Sequence, residues 1–189
     1  LEVKNRLGLA AGLDKNGELI EEMSNLGFGF IEIGTVTPKK QFGNKKPRIF
    51  RIEKEDSLLN SLGFNNKGAT YVKNKLQALK RKDIVIGANI GPNKNTESNK
   101  RKEDYSYCFN ELADYVDYIV LNISSPNTPD LRDLHNIENL KEIIECILKE
   151  KENINYSGKI FLKLSPDEKK SKTEAVINLV NSMDIDGVI

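Results

Sequence analysis

The chain has 189 residues, with 29 Lys+Arg set against 28 Asp+Glu and a formal net charge of +1 at pH 7. It is long enough to be one domain with a substantial core, and the balanced charge removes the electrostatic case for a nucleic-acid partner. No apolar run reaches the roughly 20 residues of a membrane-spanning helix, and the two cysteines, Cys108 and Cys146, have no metal or redox spacing and read as packing residues of a reducing compartment.

No signal peptide is visible, because Leu1-Glu2-Val3-Lys4-Asn5 leads straight into a strand. The glycine-rich run Leu7–Gly12 reads as that first strand, followed by the loop Leu13-Asp14-Lys15-Asn16-Gly17. Glu18 to Leu26 is an amphipathic helix closed by Gly27. Phe30 to Gly34 is a second strand, ending in Thr35-Val36-Thr37-Pro38. The basic segment Lys39 to Arg51 reads as a long loop, and long loops in compact domains are often functional. Ser57 to Phe64 leads into Asn65-Asn66-Lys67-Gly68, and a helix follows to about Arg81.

Ile84 to Ile90 is a third strand, and a polar gap precedes a helix from Glu103 to Tyr115. Tyr118 to Ile123 is a fourth strand, stopped by the turn cluster Ser124-Ser125-Pro126-Asn127. From Ile137 to Lys149, Leu140, Ile143, Ile144 and Ile147 follow a 3.6-residue period. Ile160 to Leu164 is a fifth strand, Thr173 to Met183 a fifth helix, and a sixth strand opens at Gly187. This alternation argues for an α/β fold with a parallel sheet covered by helices. Both a (β/α)8 barrel and a doubly wound open sheet fit the pattern.

In either architecture the C-terminal ends of parallel strands surround the ligand. Those ends carry Lys15, Thr35, Asn89, Asn122 and Ser125, and Lys163 interrupts the apolar fifth strand. Each of these has an ordinary structural explanation. Lys163 is the hardest to dismiss, since a strand buried on both faces should not hold an unpaired charge.

One stretch carries more specific information. Asn122-Ile123-Ser124-Ser125-Pro126-Asn127-Thr128-Pro129, followed by Leu131-Arg132, resembles the active-site loop of the dihydroorotate dehydrogenases that pass electrons to quinone. Four further segments match the same family in order: Ala11–Lys15, Ile31–Pro38, Asn60–Asn66 and Ala88–Gly91, with Lys163-Leu164-Ser165-Pro166-Asp167 beyond the loop. Departures are Arg6 for a usual Pro, Asp130 for Gly and Ser165 for Ala. Ser125 stands where soluble members, which use fumarate or NAD, carry Cys.

The resemblance implies a TIM barrel of which about the first six βα units are present, as a single FMN-binding catalytic domain over residues 1–189. A chain with no Met at position 1 that stops inside a strand is expected to be a fragment, unstable alone and lacking both an N-terminal extension and the flavin-phosphate loops. The implied activity is oxidation of (S)-dihydroorotate to orotate in de novo pyrimidine (UMP) biosynthesis. Ser125 would take a proton from C5, with a hydride passing from C6 to FMN N5. A serine hydroxyl is a weak base, and Thr128 would serve a water-linked relay in place of a histidine.

By the same resemblance Ala11, Gly12, Leu13, Asp14, Lys15, Thr35, Asn89, Asn122 and Lys163 would contact FMN. Lys15, Asn60, Ser61, Leu62, Gly63, Phe64, Asn122 and Asn127 would contact the substrate. Quinone is the implied electron acceptor, and the missing extension the implied contact with a membrane, where the protein would be peripheral. No metal or nucleic acid is expected.

Overall fold

The computed structural model describes residues 1–80, 83–124 and 137–189. Its centre is a six-stranded, wholly parallel sheet formed by β1 (Gly8–Leu9), β2 (Phe30–Val36), β7 (Val85–Ile90), β8 (Tyr118–Asn122), β9 (Lys159–Lys163) and β10 (Gly187–Val188). These strands lie side by side in sequence order. A doubly wound sheet reverses its order at a switch point, and this one does not. The sheet also curls, so that residues of β1 and β10 line one interior cavity. This is the arrangement of a partial (β/α)8 barrel.

Alternation along the strands explains the two layers. Ile31, Ile33, Ile86, Ala88, Ile90, Ile119, Leu121, Ile160 and Leu162 face outward and form the core with the helices. Helix α4 (Ile137–Asn153) contributes Leu140, Ile143, Ile144 and Ile147, all nearly inaccessible. Fully burying a side chain of that size contributes about 1.5–3 kcal/mol, so one charge on this face would undo the docking. Helix α3 (Arg101–Leu112) adds Tyr105, Cys108, Phe109 and Leu112. The interior layer is different in character. Phe30, Tyr118 and Phe161 meet edge to face at the lower end, with centroids 6.5 and 5.7 Å apart. A Cβ on Gly87 would stand 2.0 Å from the Tyr118 ring, so only glycine leaves room for it.

Several boundaries differ from the sequence reading. The first strand is limited to Gly8–Leu9, because the chain leaves the ladder before Gly12. Helix α1 covers only Ile20–Ser24, α2 is Ala69–Gln77 rather than a helix to Arg81, and α5 is Lys170–Asn181. The segment Lys39–Arg51 is not a loop throughout. β3 (Lys39–Gln41) pairs antiparallel with β6 (Asn66–Gly68), and β4 (Ile49–Ile52) forms a hairpin with β5 (Ser57–Asn60). Both hairpin strands are exposed, so burial gave them no alternation to read. Lys163 is half-buried rather than enclosed on both faces. None of the described helices is long and apolar enough to cross a membrane.

Candidate functional site

The upper end of the interior is polar, and three strands build it. Thr35 at the end of β2, Asn89 in β7 and Asn122 closing β8 are 6%, 0% and 5% exposed. Thr35 Oγ1 donates to Asn89 Oδ1 at 2.5 Å, and Asn122 Nδ2 donates to the same oxygen and to Thr35 Oγ1, each at 2.9 Å. The register places Gly34 beside Asn89 and Asn89 beside Val120. At Gly34 φ is +110°, and a Cβ would meet the Asn89 carbonyl oxygen at 2.3 Å, so the close approach of β2 and β7 requires glycine there. From the helix layer, the Tyr105 hydroxyl donates to the Asn122 carbonyl at 2.8 Å. Ser124 follows directly, its N–H and hydroxyl both donating to Asn122 Oδ1.

The loop after β1 lies against this cluster. Gly12 N–H donates to Gly34 O at 2.9 Å and Gly34 N–H to Asp14 O at 3.1 Å. Asp14 is buried, and its carboxylate accepts from the backbone N–H groups of Asn16, Glu18 and Leu19. Ala11 and Gly12 are half-buried and the Leu13 side chain is exposed. Lys15 is half-buried and shares a cavity of about 980 Å³ with Gly12, Arg48, Leu62 and Asn65. Burial, and then the Arg48 guanidinium, hold its pKa below the ordinary lysine value. Two cations on one wall would be relieved by an anionic ligand.

The segment after β5 forms part of the same wall. Ser61 N–H donates to Arg48 O, Asn44 N–H to Leu62 O, and Gln41 Nε2 to Gly63 O. Phe64 takes a left-handed conformation, with φ +51°. A Cβ on Gly91 would lie 3.0 Å from Thr35 Cγ2 and 3.2 Å from the Phe64 ring, so these three adjoin. Asn60 ends the exposed strand β5, paired with Ile49. Ser125, Asn127 and Thr128 lie outside the described residues.

Beneath the amides is Glu32, which the sequence reading did not single out. It is 4% exposed and lines one cavity with Lys163 and Tyr118. Asn89 Nδ2 donates to its Oε1 at 2.9 Å, and the Tyr118 hydroxyl lies 3.5 Å from Oε2. Burial raises its pKa, while the Lys163 charge and hydrogen bonds from Asn89, Tyr118 and the Ala11 backbone oppose the rise. A carboxylate in the otherwise apolar run Phe30-Ile31-Glu32-Ile33 was the available signal.

Lys15 and Lys163 bring positive charge to their two cavities, which suits an anionic group. An added Cβ at Gly12 would project into open space, so the backbone there is accessible to a flat ring.

The family model described as "Dihydroorotate dehydrogenase" matches residues 1–189. Among curated relatives, the "Dihydroorotate dehydrogenase (quinone)" of Christiangramia forsetii is 46% identical over 189 residues, covering 100% of this chain and 55% of the relative. That of Coxiella burnetii (strain Dugway 5J108-111) is 45% identical over 193 residues, with 100% and 55% covered. The chain spans about half the length of the curated relatives it matches. The crystal structure of DHODH from Eimeria tenella in complex with ferulenol superposes with a TM-score of 0.90 at 33% identity, over 96% of this chain and 55% of that one.

Proposed function

The chain belongs to the dihydroorotate dehydrogenase family, and from that premise we propose that the protein oxidises (S)-dihydroorotate to orotate in de novo pyrimidine biosynthesis, with FMN as cofactor and quinone as electron acceptor. The observation that carries the reading is the buried Thr35–Asn89–Asn122 cluster at the strand ends, with Lys163 paired beside Asn122 in the strand register.

FMN, when bound, supplies the hydride acceptor. Thr35, Asn89, Asn122 and the backbone at Ala11 to Lys15 would hold it. Lys163 supplies a cation at the strand end, where a cation favours the negative charge of a reduced flavin. On the substrate side, Lys15, with its neighbour Arg48, attracts the carboxylate of dihydroorotate. The Asn122 and Asn127 amides and the segment Asn60 to Phe64 hold its ring. Ser125 takes the proton from C5, with Thr128 in the path by which that proton leaves. Phe64, packed beside Thr35 and Gly91, helps to exclude bulk water from this end of the barrel. A quinone is dissolved in lipid, so the reading includes peripheral association with a membrane through an N-terminal extension.

The test is reduction of FMN bound to the full-length protein by dihydroorotate, followed by flavin absorbance. Rapid bleaching is expected in the parent, and a rate about a thousandfold lower in Ser125→Ala, within the usual contribution of a general base. A variant that bleaches as fast as the parent would remove Ser125 from the chemistry. A parent that binds flavin but never bleaches would sink the substrate assignment.

A further inference from the structure

The functional reading gives Glu32 no task, yet a carboxylate that is 4% exposed has to be compensated. Groups from four neighbouring strands or strand ends do so. The Ala11 backbone, the Asn89 amide and the Tyr118 hydroxyl hydrogen-bond to it, and the Lys163 charge attracts it. What matters for the site is the direction these bonds impose.

Faced by the Asn89 amide, the Tyr118 hydroxyl and the Lys163 charge, the Glu32 carboxylate acts as an acceptor. Asn89 therefore turns Nδ2 toward Glu32 and Oδ1 toward the mouth. That oxygen is then free to accept from both Thr35 Oγ1 and Asn122 Nδ2. Asn122, with Nδ2 committed, presents Oδ1 upward, where the N–H of Ser124 reaches it at 3.0 Å and the hydroxyl at 2.8 Å. Each amide is oriented by its neighbours in the row, and the row ends in two groups that keep their direction, the Glu32 carboxylate as acceptor below and the Ser124 backbone N–H as donor above. An apolar side chain at position 32 would leave Asn89 free to turn over. Its NH2 would then face the Asn122 NH2, and Asn122 would have to turn as well, setting its own NH2 against the Ser124 N–H; the Thr35 hydroxyl, which accepts as well as donates, does not oppose the turn.

We propose that Glu32 is a positioning residue that helps to fix the direction of a hydrogen-bond row running from the barrel interior through Asn89, Thr35 and Asn122 to Ser124, the sequence neighbour of Ser125. This deepens the functional reading and rests on it only for the ligand-binding and turnover arm of the test. The amide arm is independent of it.

The experiment uses the full-length FMN protein labelled with 15N-asparagine, with the Asn89 and Asn122 side-chain signals assigned through Asn89→Asp and Asn122→Asp. In the parent both amides are expected to be shifted and protected from exchange. Glu32→Leu should remove both features at Asn122 as well as Asn89, although Glu32 does not touch Asn122. It should also weaken orotate binding and lower kcat, each by about tenfold. Glu32→Gln can turn over, but the Ser124 N–H at the other end aligns the row so that the new carbonyl oxygen faces Asn89 Nδ2, so it should restore both signals and bring orotate affinity back to within about threefold of the parent. If Glu32→Leu does not fold, Glu32→Ala, which also lacks a fixed acceptor, takes its place.

An Asn122 signal unmoved in Glu32→Leu or Glu32→Ala would overturn the proposal. So would Glu32→Gln behaving like Glu32→Leu, since charge rather than hydrogen-bond direction would then be what counts. If the amide signals respond as stated while the parent neither binds orotate nor turns over, the row stands and the functional reading falls.

Discussion

The Asp14 carboxylate accepts backbone hydrogen bonds from Glu18 at 2.9 Å, Leu19 at 2.8 Å and Asn16 at 3.3 Å, all within the loop that carries Lys15. Its side chain thus holds the loop's shape, and any contact with FMN would come through the backbone at this position. Charge-assisted bonds to helix-entry N–H groups are among the stronger ones, so Asp14→Ala is expected to cost about 2 kcal/mol. This would be measured as a lowered urea midpoint in the full-length protein, with weaker FMN retention because Gly12 and Lys15 move with the loop. Asp14→Asn keeps one acceptor oxygen and should lose less. An unchanged midpoint in Asp14→Ala would mean that solvent satisfies the three donors. At this scale the sequence was legible where a polar residue broke an apolar run at a strand end, as at Thr35, Asn89, Asn122 and Lys163. Glu32 breaks such a run too, but its meaning depends on Asn89, Tyr118 and Lys163, which only the folded sheet brings to it.

At the scale of elements, the loop after β1 is tied to the β6–α2 junction by one cluster. Glu18 Oε1 accepts from Lys67 Nζ at 2.7 Å and from the Tyr71 hydroxyl at 2.6 Å, and Lys67 N–H donates to Asn16 Oδ1 at 2.9 Å. The hydrogen bonds from Lys67 and then Tyr71 hold the Glu18 pKa down to about 2, from 4.5. A carboxylate depressed on folding contributes stability that is present above its unfolded pKa and lost as pH falls through the folded one. The stability difference between the parent and Glu18→Gln should therefore be constant above about pH 5 and close as pH falls toward about 2. Thermal melts of both proteins across that range measure it, and salt should shrink the difference because the cluster is largely exposed. A difference that does not vary with pH would dissolve the tie. The parallel strands were legible because strands buried on both faces are continuous apolar runs. The β4–β5 hairpin was not, because its two strands are exposed and held mainly by their own backbone ladder. Short strands such as Lys39–Gln41 and Asn66–Gly68 carry no periodicity at all.

For the whole molecule, the decisive feature is a sheet that curls without closing among the described residues. β1 and β10 each have one neighbour, and the interior they border is lined by Phe30, Tyr118, Phe161 and Val188 around a cavity of about 460 Å³. Leu1 and Leu7 near one edge and Ile189 at the other are 57%, 67% and 52% exposed. Pattern alone had left barrel and open sheet undecided, because both are built from the same βαβ units. Strand order and curvature are properties of the assembled sheet and leave no local trace in the sequence. They also bear on behaviour in solution. Unpaired edges are templates for pairing with another chain, an exposed apolar interior favours association, and a net charge of +1 gives little repulsion against either. Residues 1–189 produced by themselves are therefore expected to self-associate, seen as a mass above 21.3 kDa by light scattering on an eluting column. They should also bind a hydrophobic dye, and a full-length protein whose further strands cover the edges and interior should not. A monodisperse 21.3 kDa species that binds no dye would mean that the two edges find cover within the 189 residues themselves.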